Sequence, residues 1–251
     1  ADLSLNILKY SQNLLKETAA YKLVIDNEKD LAGLSEAQIA EAASRAKAAG
    51  MEGKWIFGLD NPSIMPFLQN ADNAELREQM LNAYLMRGNN NNENDSKATI
   101  VKLVELRLKK AQIMGCKNYA EYALDTRMAK TEEAVFDLLD QIWKPALKAA
   151  KNELKDMTQI AKKEGHKGEL KASDWRYYFE KAKVSKFNLT EDELRPYFKL
   201  ENVREGIFYV ANQLYGITFT QLENVPLPHP EAVAFECKEA DGTHLGVIFF
   251  D

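Results

Sequence analysis

Residues 234–251 read AFECKEADGTHLGVIFFD, two apolar runs on either side of an Asp-Gly pair. Asp-Gly between apolar runs is a strong short-range signal of a β-hairpin, because both residues tolerate the positive φ of a tight turn. Read as a two-residue turn, Asp241-Gly242 sets Ala240 opposite Thr243, Glu239 opposite His244 and Cys237 opposite Gly246. The second run, Leu245 to Phe250, is apolar almost without a break. A strand with one wet face alternates, so an unbroken run calls for cover on both faces and for a further strand beside it. A hairpin left with a bare apolar edge is an aggregation hazard. The expectation is therefore that 1–251 is a single mainly helical segment of a longer chain that continues after Asp251.

Upstream of the hairpin the sequence reads mostly as helix. Leu5, Leu8, Leu15 and Ala19 fall near helical spacing in LSLNILKYSQNLLKETAAY. Short strands are expected near 21–25 (YKLVI) and 54–59 (KWIFGL), paired across an intervening helix. That helix, SEAQIAEAASRAKAAG, carries a capping box in Ser35 and Gln38 and a stop at Gly50. Pro62 and Pro66 are expected to break helix in NPSIMPF. A helix from Asn73 to Gly88 leads into NNNNENDS, a polar loop whose Asp95 or Ser96 caps the next helix. There Ile100, Val104, Leu108 and Ala111 make one stripe. A long helix starts at Thr131, with Glu132 and Glu133 at its positive end and Pro145 expected to kink or divide it. Shorter helices follow, one with a capping box in Thr190 and Glu193, and the apolar helix 202–216 ends on Gly216. The fold class is mainly α with a small β element.

Composition excludes several classes. A net charge of −5, with the 33 Lys and Arg scattered, argues against a nucleic-acid or anionic-membrane partner recognised through bulk charge. No apolar stretch approaches the roughly 20 residues of a membrane span. The start, ADLSLNILKY, lacks a basic segment followed by an apolar one. Two cysteines, Cys116 and Cys237, do not make a disulfide framework, so reduced, buried thiols and a cytoplasmic setting are expected.

Chemistry-bearing residues do not assemble into a motif. The three histidines, His166, His229 and His244, stand in no H-E-x-x-H and no helical pair that would share a zinc ion. His166 reads as solvated, and His229, between Pro228 and Pro230, as a loop residue bonded locally. The hairpin register offsets Cys237 from His244, against a nucleophilic couple. Glu132 with Glu133, and Glu191, Asp192 and Glu193, sit at helix starts, where capping and dipole effects account for them. The aromatic block Trp175, Tyr177, Tyr178 and Phe179 reads as helix packing rather than a stacking platform. Catalytic residues and metal ligands are thus expected to be none in this chain, and substrate-binding residues are not identified.

Taken in order, LAGLSEAQI, RGNNNNENDSKATIVKLVELRLKKAQIMGCKNYAEYALDTRMAKT, DWRYYFEKAKVSKFNLTEDELRPYF, VREGIFYVANQLYGITF and HPEAVAFECKEADGTHLGVIFFD resemble the zinc metallopeptidases that include thimet oligopeptidase, neurolysin, oligopeptidase A and the bacterial peptidyl-dipeptidases. NYAEYALDTRMAKT and ELRPYF with GIFYVANQLYGITF are most similar to the last branch. The resemblance covers nearly the whole chain and implies a two-lobed, mostly helical body with a channel for short peptides. It also implies zinc on two His and one Glu, with the Glu of H-E-x-x-H as general base. In that family these groups come later than the segment matched here, so none of them transfers to a position of this sequence. The implied function is a zinc-dependent oligopeptidase or peptidyl-dipeptidase as the full-length parent. This segment would give channel wall and the start of the active-site sheet, with no zinc bound and no activity alone. Two rivals stand beside it: a stand-alone helical module that binds protein or peptide through the 175–179 block, and an enzyme that uses the helix-start carboxylates.

Overall fold

A computed structural model describes residues 1–250, except for the side chains of residues 191 and 192; Asp251 lies outside the described residues. The chain forms two compact units, Ala1–Phe187 and Asn188 onward. The fold is mainly helical, with a two-stranded and a three-stranded antiparallel sheet.

The first unit is built around one short antiparallel pair. β1 (Leu23–Ile25) faces β2 (Trp55–Phe57) with Leu23 opposite Phe57 and Ile25 opposite Trp55. Alternation sends Leu23 and Ile25 inward and leaves Val24 out, the period of a half-covered strand. Between the strands runs α2 (Glu36–Ala48), started by the expected box: Ser35 Oγ accepts from Gln38 N–H, and Gln38 Oε1 accepts from Ser35 N–H. Gly50, at φ 74°, turns the chain out of it. α3 (Asn61–Asn70) corrects the expected break at NPSIMPF. Pro62 sits in the first turn, where an N–H would be unpaired in any case. Pro66 removes one intrahelical bond, but Ile64, Phe67 and Leu68 bury against the strands and hold the helix. Phe57 and Phe67 meet with ring centroids 4.8 Å apart.

α4 (Ala74–Leu85) is capped by Asn73, whose amide also donates to Asp30 across the turn below. Here the turn 31–34 passes so close to residues 70–72 that a Cβ on Gly33 would lie 2.0 Å from the Asn70 carbonyl, and its φ is +86°. Only glycine serves both demands.

α1 (Asp2–Ala20) and α5 (Lys97–Ile113) are helices where expected. α1 buries Asn13 and Glu17 and leaves Leu5, Leu8 and Leu15 exposed; α5 buries Thr99, Leu103 and Ala111 and leaves Ile100, Val104 and Leu108 exposed. The asparagine loop docks on α1: Asn90 and Asn92 donate to the Glu17 carboxylate, and Asn13 donates to Ser96 Oγ. Of the two expected caps for α5, Asp95 serves, accepting from Lys97 N–H. α6 (Tyr119–Leu124) leads to α7 (Glu132–Lys163), 32 residues that run unbroken through Pro145. α8 (Trp175–Phe187) folds back along its second half.

In the second unit, α9 (Glu191–Leu194) starts at the Thr190–Glu193 box and α10 (Leu200–Tyr215) ends at Gly216 in the left-handed region. Its sheet has the order β3 (Thr218–Leu222), β4 (Val233–Lys238), β5 (His244–Phe250). Phe208 of α10 stacks on Phe219 at 4.1 Å and meets Phe235 and Phe250 edge-on. One hairpin expectation holds and one is corrected. Among the described residues β4 has a strand on each side and buries Ala234 and Phe235, while β5 pairs with β4 and exposes Leu245, Val247 and Phe249, the bare apolar edge that the sequence leads one to expect. The correction is that the turn is longer than two residues. Glu239 N–H bonds Thr243 O and Gly242 N–H bonds Glu239 O, so a bulge puts Lys238, not Glu239, opposite His244. Cys237 does face Gly246.

Candidate functional site

The most developed polar cluster of the first unit centres on Arg77, buried at 2% exposure. Asn73 starts α4 so that Arg77, one turn in, points back under the chain. Its Nη2 donates to Asp174 Oδ1 at 2.8 Å, and Nη1 donates to the carbonyls of Ala71 at 2.6 Å and Asp72 at 3.0 Å. The guanidinium lies 4.0 Å from the Tyr177 ring centre. Tyr177 donates its hydroxyl to Asp72 Oδ1 at 2.7 Å, and burial first of all pushes that phenol above its ordinary pKa. Asp174, at the turn before α8, also accepts from Lys171 N–H at 3.0 Å. A buried charge needs such a partner set, since breaking it strands an ion in low dielectric. The cluster knots the start of α4, the 71–72 turn and the start of α8 together. It presents no free nucleophile and no acid–base pair open to a substrate.

Two clefts open in the first unit. One, of about 630 Å³, lies between α3, α7 and α8, and its wall carries Asp72, Tyr177, Lys181 and Glu164. Lys181 pairs with Glu164 at 2.7 Å and stands 4.4 Å over the Tyr177 ring. The other, of about 620 Å³, lies beside α1 and α2 over the Arg45–Asp60 pair. Arg45 makes a two-pronged contact with Asp60, at 2.8 and 3.2 Å, and bonds Glu41 at 3.0 Å. Those bonds from Arg45 hold the Asp60 carboxyl below its ordinary pKa. In each cleft one charged pair, Lys181–Glu164 or Arg45–Asp60, is spent on itself.

The residues weighed in the sequence fall as follows. His229 accepts from Glu231 N–H at 3.3 Å, a local bond as expected. His244 Nδ1 lies 3.0 Å from Glu236 Oε1; its partner on the hairpin is that carboxylate and not Cys237, and the contact, with Lys238, keeps the Glu236 carboxyl below its ordinary pKa. His166 is half-buried edge-on against Tyr178 rather than fully solvated. Cys116 and Cys237 are free thiols, each half-exposed, which corrects the expected burial. Glu132 accepts from Asn118, and Thr131 caps α7. Glu191 and Asp192 carry side chains outside the described set. The aromatic block divides: Tyr177 and Tyr178 are buried, while Trp175 and Phe179 stay exposed. Among the described residues, no group of three or more His, Cys, Asp or Glu could hold a metal ion, and no helix is long and apolar enough to cross a membrane.

The Arg77 cluster had no sequence signal, because its partners are 97 residues apart. The profile of peptidase family M3 matches residues 67–251. The chain is 34% identical to dipeptidyl carboxypeptidase of Escherichia coli K12 over 244 residues, 97% of this chain and 36% of that protein. It is 34% identical to oligopeptidase A of Salmonella typhimurium over 247 residues, again 97% of this chain and 36% of the relative. Organellar oligopeptidase A of Arabidopsis thaliana is 32% identical over 252 residues, with 97% and 32% covered. The chain thus spans about a third of the length of these curated relatives.

Proposed function

The chain belongs to peptidase family M3, and from that premise we propose that it is part of a zinc-dependent oligopeptidase or peptidyl-dipeptidase that hydrolyses short peptides. In this reading residues 1–251 form helical wall of a peptide channel and the first strands of an active-site sheet, and they are inactive alone. One observation supports it above the rest. Similarity runs along 97% of this chain yet takes up only 36% of a relative named for its peptidase activity.

The described residues do not fit a zinc site. The metal's ligands would come from polypeptide outside this chain, and no step of the hydrolysis runs through a residue named here. What this chain supplies is rigidity: the Arg77–Asp174 knot and the closed core of β1, β2 and α3 fix the helices beside the two clefts.

The test compares the parent protein with the 251-residue chain. Cleavage of a short internally quenched peptide, bound zinc and loss of cleavage on chelation are measured for both. The expected result is chelator-sensitive cleavage and stoichiometric zinc in the parent, and neither in the chain of 251. Cleavage by that chain itself, untouched by chelator and lost on changing one helix-start carboxylate, would sink the reading.

A further inference from the structure

The first half of α7 is a helix with no cover. Residues 136–149 are exposed without exception, although α7 is tethered at its start by Asn118 to Glu132 and along its second half by α8. At about 100° per residue, Phe136, Leu139, Trp143 and Leu147 fall on one stripe. Trp143 is 63% exposed. The same stripe continues through Leu154 to Met157 and Ala161, which are closed to 0% and 1% where α8 lies antiparallel across them. Lys186–Asp156 and Lys181–Glu164 fix that direction. One face of one helix is therefore covered for half its length and bare for the other half.

The flank of the bare stripe is charged in two blocks. Glu133, Asp137 and Asp140 come first, and Lys144, Lys148 and Lys151 follow on the same side. We propose that the Phe136–Leu147 stripe is the docking face for an amphipathic helix of the parent polypeptide outside residues 1–251, one that carries basic residues opposite Asp137 and Asp140 and acidic residues opposite Lys144 and Lys148. This rests on the reading of the chain as part of a longer peptidase. Three observations choose that occupant. The bare stripe continues an interface that a helix already fills. The relatives matched are about three times as long as this chain, so ample polypeptide remains to supply one. Finally, 14 exposed residues span only about 20 Å of helix, too short to give a second copy the roughly 800 Å² per partner of a stable dimer.

Hydrogen exchange on the parent and on the chain of 251, read on peptides within 137–149, tests this. The expected result is exchange about a hundredfold slower in the parent than in the chain of 251. Trp143→Asp in the parent should abolish that protection while leaving the melting of the 251-residue chain unchanged. Equal exchange in both proteins overturns the proposal. So does protection in the chain of 251 together with a doubled mass in sedimentation, which would assign the face to a second copy. A parent that protects 137–149 but cleaves no peptide fails the peptidase reading alone; an active parent with unprotected 137–149 fails the docking face alone.

Discussion

The stretch from Leu23 to Met80 and the first half of α7 use the same kinds of side chain to opposite ends. In the former, Phe67 is closed to 1%, packed between a strand pair and two helices that follow one another within 60 residues. In the latter, Trp143, a larger apolar group on a stronger stripe, is 63% exposed. Periodicity dictates which residues share a face, but cover depends on a partner, and only the first region finds its partner nearby in sequence. A shared face is thus a demand for burial, met in one region and unmet among the described residues in the other.

The comparison breaks most directly by truncating the two aromatics in the 251-residue chain. Phe67→Ala should cost about 3–5 kcal/mol, the transfer loss plus the cavity left behind. Trp143→Ala should move stability by no more than about 0.5 kcal/mol, as for other surface changes. Urea unfolding reads both, and a large loss at Trp143 would mean that the stripe is already covered.

Asp174→Ala asks whether the polar knot belongs with the closed region. It strands the Arg77 charge, and a loss of about 3–5 kcal/mol is expected in the same assay. A neutral result would make the knot a bystander.

The smallest effect concerns Glu17. Burial pushes its carboxyl up, but the amides of Asn92 and Asn90, with Gly88 and Asn94, outweigh this and hold it below its ordinary 4.5. A depressed folded pKa gives stability that is present above the unfolded value and lost as pH falls through the folded one. Stability should therefore fall off below about pH 4.5, and Glu17→Gln should flatten part of that slope. An unchanged slope in acid titrations of unfolding would detach the asparagine loop from α1.

Much of the fold was legible because its signals are local. The Ser35–Gln38 box and the stops at Gly50 and Gly216 rest on a few neighbouring residues, and the runs 21–25 and 54–59 each show as a strand by themselves. Pro62 and Pro66 misled, because the burial of Ile64, Phe67 and Leu68 outweighs one lost backbone bond. β3 was missed although Thr218, Phe219 and Thr220 alternate, since a run of that length is weak evidence until β4 lies beside it. Hairpin register slipped at the turn by one residue, the unit that a bulge inserts. The stripes of α1 and α5 were read as faces, but which way each face turns was not legible: Ala111 is buried while Leu5, Leu15, Ile100 and Val104 stay exposed, and the loop 89–96 spends its amides on Glu17 of α1. Of the polar cluster nothing was visible: Arg77, Asp174, Tyr177 and Asp72 meet only in three dimensions.

Pro145 carries one more consequence. With no N–H, it cannot bond the carbonyl of Gln141, the residue one turn earlier. At 3.6 residues per turn both residues lie about 160° around the helix from the Trp143 side. The single gap in the backbone ladder of α7 therefore faces away from the apolar stripe, where water can fill it. A surface of this helix can be dried completely without leaving a carbonyl short of a donor.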